Sequence, residues 1–197
     1  MNSVTVSSVM ETDRLVLREH TIQDAQAILE IFGDTEVMRH FGMKPVSSLD
    51  DAIKMVNYFE RNRKENGLNR WAVALKKNRH VVGSIFYTNI EKPYSRAEIG
   101  FLLNRSYWGK GIMHEAAEKI ISFGFEHMSL NRIQALVSVD NRRSISLVKR
   151  LGFRKEGILR EHNFNYVENR FADMYAFALL VKEHGIQRED SNTLLER

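Results

Sequence analysis

Eight residues, Asn104-Arg-Ser-Tyr-Trp-Gly-Lys-Gly111, join a strand-like run, Ala97-Glu-Ile-Gly-Phe-Leu-Leu103, directly to an amphipathic helix over about 112–127. No other segment constrains the chain as tightly. Glycines at 109 and 111 let the backbone turn sharply and keep a Cβ from standing between it and a ligand. The helical turn that follows presents unpaired N–H groups at the positive end of the helix dipole. Strand, glycine-rich turn and helix N-terminus in that order make an anion site, to which Lys110 adds a point charge. The same glycines would also serve a tight turn that binds nothing, and the loop alone does not separate the two readings. It matches neither Gly-x-x-x-x-Gly-Lys-Ser/Thr nor Gly-x-Gly-x-x-Gly, which disfavours ATP and NAD.

The rest of the chain supplies the elements around this junction. Arg14-Leu-Val-Leu-Arg18 alternates as a strand does. Thr21, with Asp24 three residues on, opens a helix reaching about Phe32. Ser47 or Ser48 opens a second helix that Gly67 ends. Strands are expected at 71–75, 80–87 and 97–103, then the helix at 112–127, a strand at 133–139 and a helix over 141–151 closed by Gly152. Two further strands fall near 153–160 and 171–179. The order predicts one domain over 1–197, with its core at about 10–182 and a polar tail at 185–197. Its class is α/β (α+β), a mixed, mostly antiparallel sheet with helices on both faces.

Composition removes several chemistries. The chain has no cysteine, so a disulfide, a thiolate metal site and a cysteine nucleophile are excluded. None of its histidines pair at His-x-x-x-His spacing and no Gly-x-Ser-x-Gly elbow occurs, which disfavours metal and serine hydrolases; no metal is expected. No apolar run approaches the ~20 residues that span a bilayer, and residues 1–13 lack a signal-peptide pattern. A cytoplasmic protein with no membrane partner is expected. The net charge of +4 fits either a solvated surface or attraction to an anion.

Several blocks in one order carry a family resemblance. Ala97-Glu98-Ile99-Gly100-Phe101 followed by Tyr107-Trp108-Gly109-Lys110-Gly111-Ile112-Met113-His114-Glu115-Ala116 resembles the coenzyme-binding motif of the GNAT acetyltransferase superfamily. Within it the chain is most similar to the RimJ/RimL type, the ribosomal-protein N-terminal acetyltransferases. Asn131-Arg132-Ile133, Asp140-Asn141-Arg142-Arg143-Ser144 and Leu151-Gly152-Phe153-Arg154-Lys155-Glu156-Gly157 agree with it, as does Glu11-Thr-Asp-Arg-Leu-Val-Leu-Arg18. The likeness covers about residues 10–182.

The resemblance implies a sheet splayed between the strands at 97–103 and 133–139, with acetyl-coenzyme A as cosubstrate in the gap. The backbones of Phe101, Leu102 and Leu103 would bond its pantetheine arm, and the amides of Trp108, Gly109, Lys110, Gly111, Ile112 and Met113 its pyrophosphate. Asn141 and Ser144 would line the far side, with Arg142, Arg143 and Lys149 as phosphate counter-charges. Met113 is bulkier than the alanine or glycine of the family pattern. Val148 stands where many members carry a tyrosine that protonates the departing thiolate.

Direct attack of an amine on the thioester fits a chain without cysteine. Glu98, beside the expected gap, is the candidate base, because burial there would raise its pKa; a purely structural glutamate is the competing reading. Glu161 is a second, weaker candidate. Ser144 is the candidate acid in place of the tyrosine, against the alternative of a hydroxyl that only caps a helix. The acceptor that fits the subgroup best is the N-terminal amine of a ribosomal protein. Polyamines, amino sugars and other small amines are the alternatives, and the positive charge sits poorly with a polyamine. A coenzyme sensor without turnover and a ribosome- or RNA-binding module are rival functions; direct nucleic-acid binding is not expected. The last strand, as a free edge, would permit a homodimer.

Overall fold

The computed structural model describes residues 9–67 and 69–185; the polar tail expected from 185 onward lies almost wholly outside them. The chain opens with β1 (Met10–Glu11) and β2 (Leu15–Arg18). Then come a 3-10 turn (Ile22–Asp24), α1 (Ala25–Phe32), α2 (Thr35–Met38) and α3 (Leu49–Asn66). Strands β3 (Arg70–Leu75), β4 (Val81–Glu91) and β5 (Arg96–Leu103) lead into α4 (Ile112–Glu126). The remainder is β6 (Arg132–Ser138), α5 (Arg142–Arg150), β7 (Arg154–Asn165) and β8 (Arg170–Leu180).

The strands form one eight-stranded open sheet in the order β1-β2-β3-β4-β5-β6-β8-β7. All neighbours are antiparallel except β5 and β6. The expected α/β class, with a mostly antiparallel sheet and helices on both faces, is therefore observed. Helix ends follow their caps: Ser48 accepts from the Asp51 amide at the start of α3, and Gly67 ends it at φ +81°. Two short elements carried no periodic signal: the two residues of β1, and α2, a single turn capped by Asp34.

One expectation fails. The last strand is not a free edge, because β8 is paired on both sides, with β6 and with β7. The outer strand is β7, exposed over most of its length. For that reason it shows little alternation and runs five residues beyond its expected end.

Strand alternation divides the core in two. Ala97 and Ile99 of β5 face α4 and α5, among Val82, Ile112, Ala116, Ile120 and Val148. Leu102 faces the other way, with Phe86, against Ile28, Ile31 and Phe32 of α1 and Ala52 and Val56 of α3. On this second face Arg70, Phe86 and Gly100 stand opposite one another on β3, β4 and β5. Gly100 is required there: a Cβ would lie 2.4 Å from Cε2 and 2.5 Å from Cζ of Phe86.

Gly100→Ala should therefore lower the unfolding free energy by about 1–3 kcal/mol through overpacking. Gly157→Ala, at a position with nothing within 4 Å of the added Cβ, should be near neutral. Chemical denaturation of both variants compares them directly.

Candidate functional site

Parallel pairing of β5 with β6 covers only Arg96, Ala97 and Glu98 against Arg132, Ile133 and Gln134. Beyond that point the strands part. A cleft of about 1130 Å³ opens there, lined by β5, the loop before α4, the far half of β6 and the start of α5.

The backbone groups that face the cleft follow from register. The Asn104 N–H donates to the Val82 carbonyl at 2.8 Å. Opposite residues of an antiparallel ladder alternate between bonded and non-bonded pairs. Leu102 accordingly exchanges its backbone bonds with Ser84 of β4, and its polar groups are not available to a ligand. Phe101 and Leu103 turn theirs toward the gap. The Leu103 carbonyl is already occupied by the Trp108 indole N–H at 2.8 Å. That leaves the N–H and C=O of Phe101 and the N–H of Leu103 without a strand partner.

The loop that follows is built for close approach. The Asn104 carboxamide accepts from the Ser106 amide at 3.0 Å. The Trp108 amide donates to the Arg105 carbonyl at 3.1 Å and so leaves the set expected for a pyrophosphate. Gly109 and Gly111 sit at φ +74° and +73°, a region costly for any residue with a Cβ. No side chain caps α4, so the amides of its first turn remain open to an anion. Lys110 does not line the cleft; its ammonium lies 5.3 Å from the Tyr107 ring.

Arg14, on the turn between β1 and β2, holds this loop from behind. It pairs with Glu115 at 2.6 Å and donates to the Lys110 carbonyl at 3.0 Å. Met113 does not crowd the phosphate side. Its side chain is buried over Gly83, where a Cβ would stand 3.3 Å from the Met113 Cε.

Across the cleft, Asn141 caps α5 by accepting from the Ser144 amide at 3.1 Å. The capping task thus falls to Asn141, and the Ser144 hydroxyl, on the cleft wall, has no hydrogen-bond partner among the described residues. Arg142 and Arg143 reach the same wall, the Arg143 guanidinium 4.6 Å from the Trp108 ring. Lys149 does not. Val148, where many family members have a tyrosine, is buried in the core.

Glu98 points to the face opposite α4 and lines the cleft. Partial burial raises its carboxyl above the ordinary range, against an opposing hydrogen bond from Asn89 and the nearby charge of His162. The Asn89 amide donates to Glu98 at 3.2 Å. Two irregularities bring these partners in. Asn89 has φ +49° where the β4–β5 register shifts. Glu161 has φ +49° at the β7 irregularity just before His162. Glu161 itself is exposed and outside the cleft, its amide bonded to Asp173 at 2.8 Å. Sequence reasoning did not find Asn89, His162 or Arg14, since no local pattern marks a residue delivered by a strand irregularity or by a distant turn.

A sheet opened between two parallel strands, an uncapped helix behind two left-handed glycines and a half-buried carboxylate on β5 meet at one cleft. Residues 14–154 match the family described as Acetyltransferase (GNAT) domain; the chain belongs to that family and is an acyltransferase. It is 35% identical over 173 residues to p20 of Bacillus licheniformis, named an uncharacterized N-acetyltransferase, covering 88% of this chain and 96% of that one. Two solved structures share the fold and are named for different acceptors. Spermidine N-acetyltransferase from Vibrio cholerae, in complex with CoA and spermine, superposes with TM-score 0.77 at 20% identity, over 89% of this chain and all (100%) of that one. The ribosomal-protein-S5-alanine acetyltransferase of Vibrio fischeri does so with TM-score 0.72 at 24% identity, over 87% and 96%. The fold alone does not choose between such acceptors. Among the described residues no helix is long and apolar enough to cross a membrane.

NMR titration should place the Glu98 midpoint above the model-compound value of 4.5. Asn89→Ala should raise it further, by removing a bond that favours the charged form. Because the folded pKa exceeds the unfolded one, the contribution of Glu98 to stability is complete below the unfolded pKa. It is lost as pH rises through the folded value.

Proposed function

We propose that the chain moves the acetyl group of acetyl-coenzyme A directly to a primary amine, the N-terminal amine of a peptide being the acceptor favoured by the RimJ/RimL resemblance. The observation that carries this reading is the gap between β5 and β6, in which unpaired backbone groups meet an uncapped helix N-terminus. These groups fit the coenzyme. Phe101 and Leu103 can bond an amide-bearing arm as a neighbouring strand would. The amides of Gly109, Lys110, Gly111, Ile112 and Met113 can receive a pyrophosphate, with Asn141 and Arg143 on the opposite wall. Acetyl-coenzyme A supplies an activated acyl carbon.

Glu98 accepts the proton of the incoming ammonium, and its raised pKa makes it a stronger base than an ordinary glutamate. Backbone N–H groups at the gap steady the negative charge that develops on the acyl oxygen. Ser144, whose hydroxyl is free of capping duty, relays to the leaving sulfur the proton that the attacking nitrogen sheds, so that amide and thiol form together and the hydroxyl is regenerated, where Val148 cannot.

Calorimetry should detect acetyl-coenzyme A binding. Gly111→Ala should weaken it by roughly tenfold, since a side chain at positive φ costs about 1–2 kcal/mol. A free-thiol assay should show turnover with amines. Glu98→Gln should lower kcat by about 100-fold or more. The same change should abolish the acid limb of the pH profile, where activity rises as Glu98 loses its proton. If Glu98→Gln and Ser144→Ala both stay within a few-fold of wild type, transfer proceeds by positioning alone.

A further inference from the structure

Among the described residues, the partly buried arginines have carboxylate partners, with one exception. Arg18 pairs with Asp24, Arg39 with Glu36, Arg63 with Glu19, Arg96 with Glu91 and Arg132 with Glu156. Arg70, also partly buried, pairs with none among the described residues. Its guanidinium lies between two phenyl rings, 3.6 Å from the centroid of Phe86 and 4.4 Å from that of Phe59. Among the described residues its one hydrogen bond goes to the Ser84 hydroxyl at 3.3 Å, with no acceptor there for Nε and Nη2. Burial pulls its pKa to about 9, which still leaves it charged at neutral pH.

The neighbouring carboxylates are committed elsewhere. Glu19 is bonded to Arg63 at 3.1 Å and Glu60 to Lys64 at 2.7 Å. The crevice between Arg70 and these groups has a free volume of about 10 Å³, room for one water at most. The other side of Arg70 is the large cleft that also holds Glu98. A desolvated cation without a partner is costly, and a stacked, pre-oriented guanidinium is the donor best suited to carboxylate or phosphate.

The two groups stand at a usable separation. Arg70 is in register with Phe86, and Phe86 with Gly100, two residues from Glu98 on the same face of β5. Neighbouring strands lie about 4.8 Å apart and each residue rises about 3.4 Å, so Arg70 and Glu98 are separated by about 10 Å across the sheet and roughly 7 Å along it, about 12 Å between backbones. Stacking on Phe86, whose ring covers Gly100, draws the guanidinium toward β5.

We infer that Arg70 is a specificity residue that selects amine acceptors carrying an anionic group, a carboxylate or a phosphate, within about 12 Å of the amine. The inference rests on the acetyl-transfer reading of the cleft and deepens it. It sets this chain against polycationic acceptors, which would place a second positive charge beside Arg70.

The test is a thiol-release assay on matched acceptors: a free amino acid and its amide, phosphoethanolamine and ethanolamine, a peptide with glutamate or glutamine at position two, and spermidine. Wild type should favour the anionic member of at least one pair by about 30-fold or more in kcat/KM, and the pair concerned identifies the source of the anion. Arg70→Met should erase that preference, chiefly through KM, while calorimetry shows unchanged acetyl-coenzyme A affinity. Arg70→Lys, which keeps the charge and loses the fork, should retain part of it and stands in should Arg70→Met not fold. No preference in wild type, a preference for spermidine, or an equal loss on both members of each pair would overturn the inference while leaving acetyl transfer intact. If no acceptor yields thiol, the anionic amines are titrated calorimetrically into the CoA-saturated protein. Binding lost in Arg70→Met then supports the inference and removes the transfer reading; absence of binding removes the inference.

Discussion

Parallel pairing between β5 and β6 stops at Glu98 and Gln134, and most of what the protein can do depends on that separation. Buried backbone N–H and C=O groups require partners. Along most of this sheet a neighbouring strand supplies them; past Glu98, on one side of β5, no strand among the described residues does. Phe101 and Leu103 therefore offer a strand edge inside the protein, where a ligand with amide groups can complete the ladder. The helix that must follow a parallel crossover begins at this opening, and its first turn is left uncapped. One local failure of pairing thus creates both a backbone edge and an anion site.

The two faces of the opened sheet carry different electrostatics. On the α4 and α5 side lie helix-terminal amides and arginines, a setting for phosphates. On the other side lie Glu98, raised by burial, and Arg70, stacked and unpaired. These groups stand on β5 and β3, on either side of β4, and depend on small residues and irregularities. Gly100 makes room for the Phe86 ring, and the shift near Asn89 directs an amide to Glu98.

Features that follow from local rules were legible in advance. The turn glycines at 109 and 111, the Ser48 cap and the order of strands and helices each depend on residues within a few positions of one another. Assignments that depended on pairing partners fared differently. Leu102 shares a run with Phe101 and Leu103, yet alternation turns its backbone to β4. The Trp108 amide belongs to the expected cradle by position, yet a 3-10 turn consumes it. Met113 departs from the family pattern, and its bulk is accommodated by Gly83, a residue thirty positions earlier.

By itself the sequence determined the class of fold, the glycine-rich turn into α4 and the family, because turn geometry, helix capping and hydrophobic period are short-range properties. Tertiary structure alone decided which backbone groups remain unpaired at the fork. It also decided that β7 and not β8 forms the edge, and that Arg70 faces the same cleft as Glu98 without a counter-ion. Each of those outcomes depends on strand register and on contacts between residues far apart in the chain, and neither is encoded in any short segment.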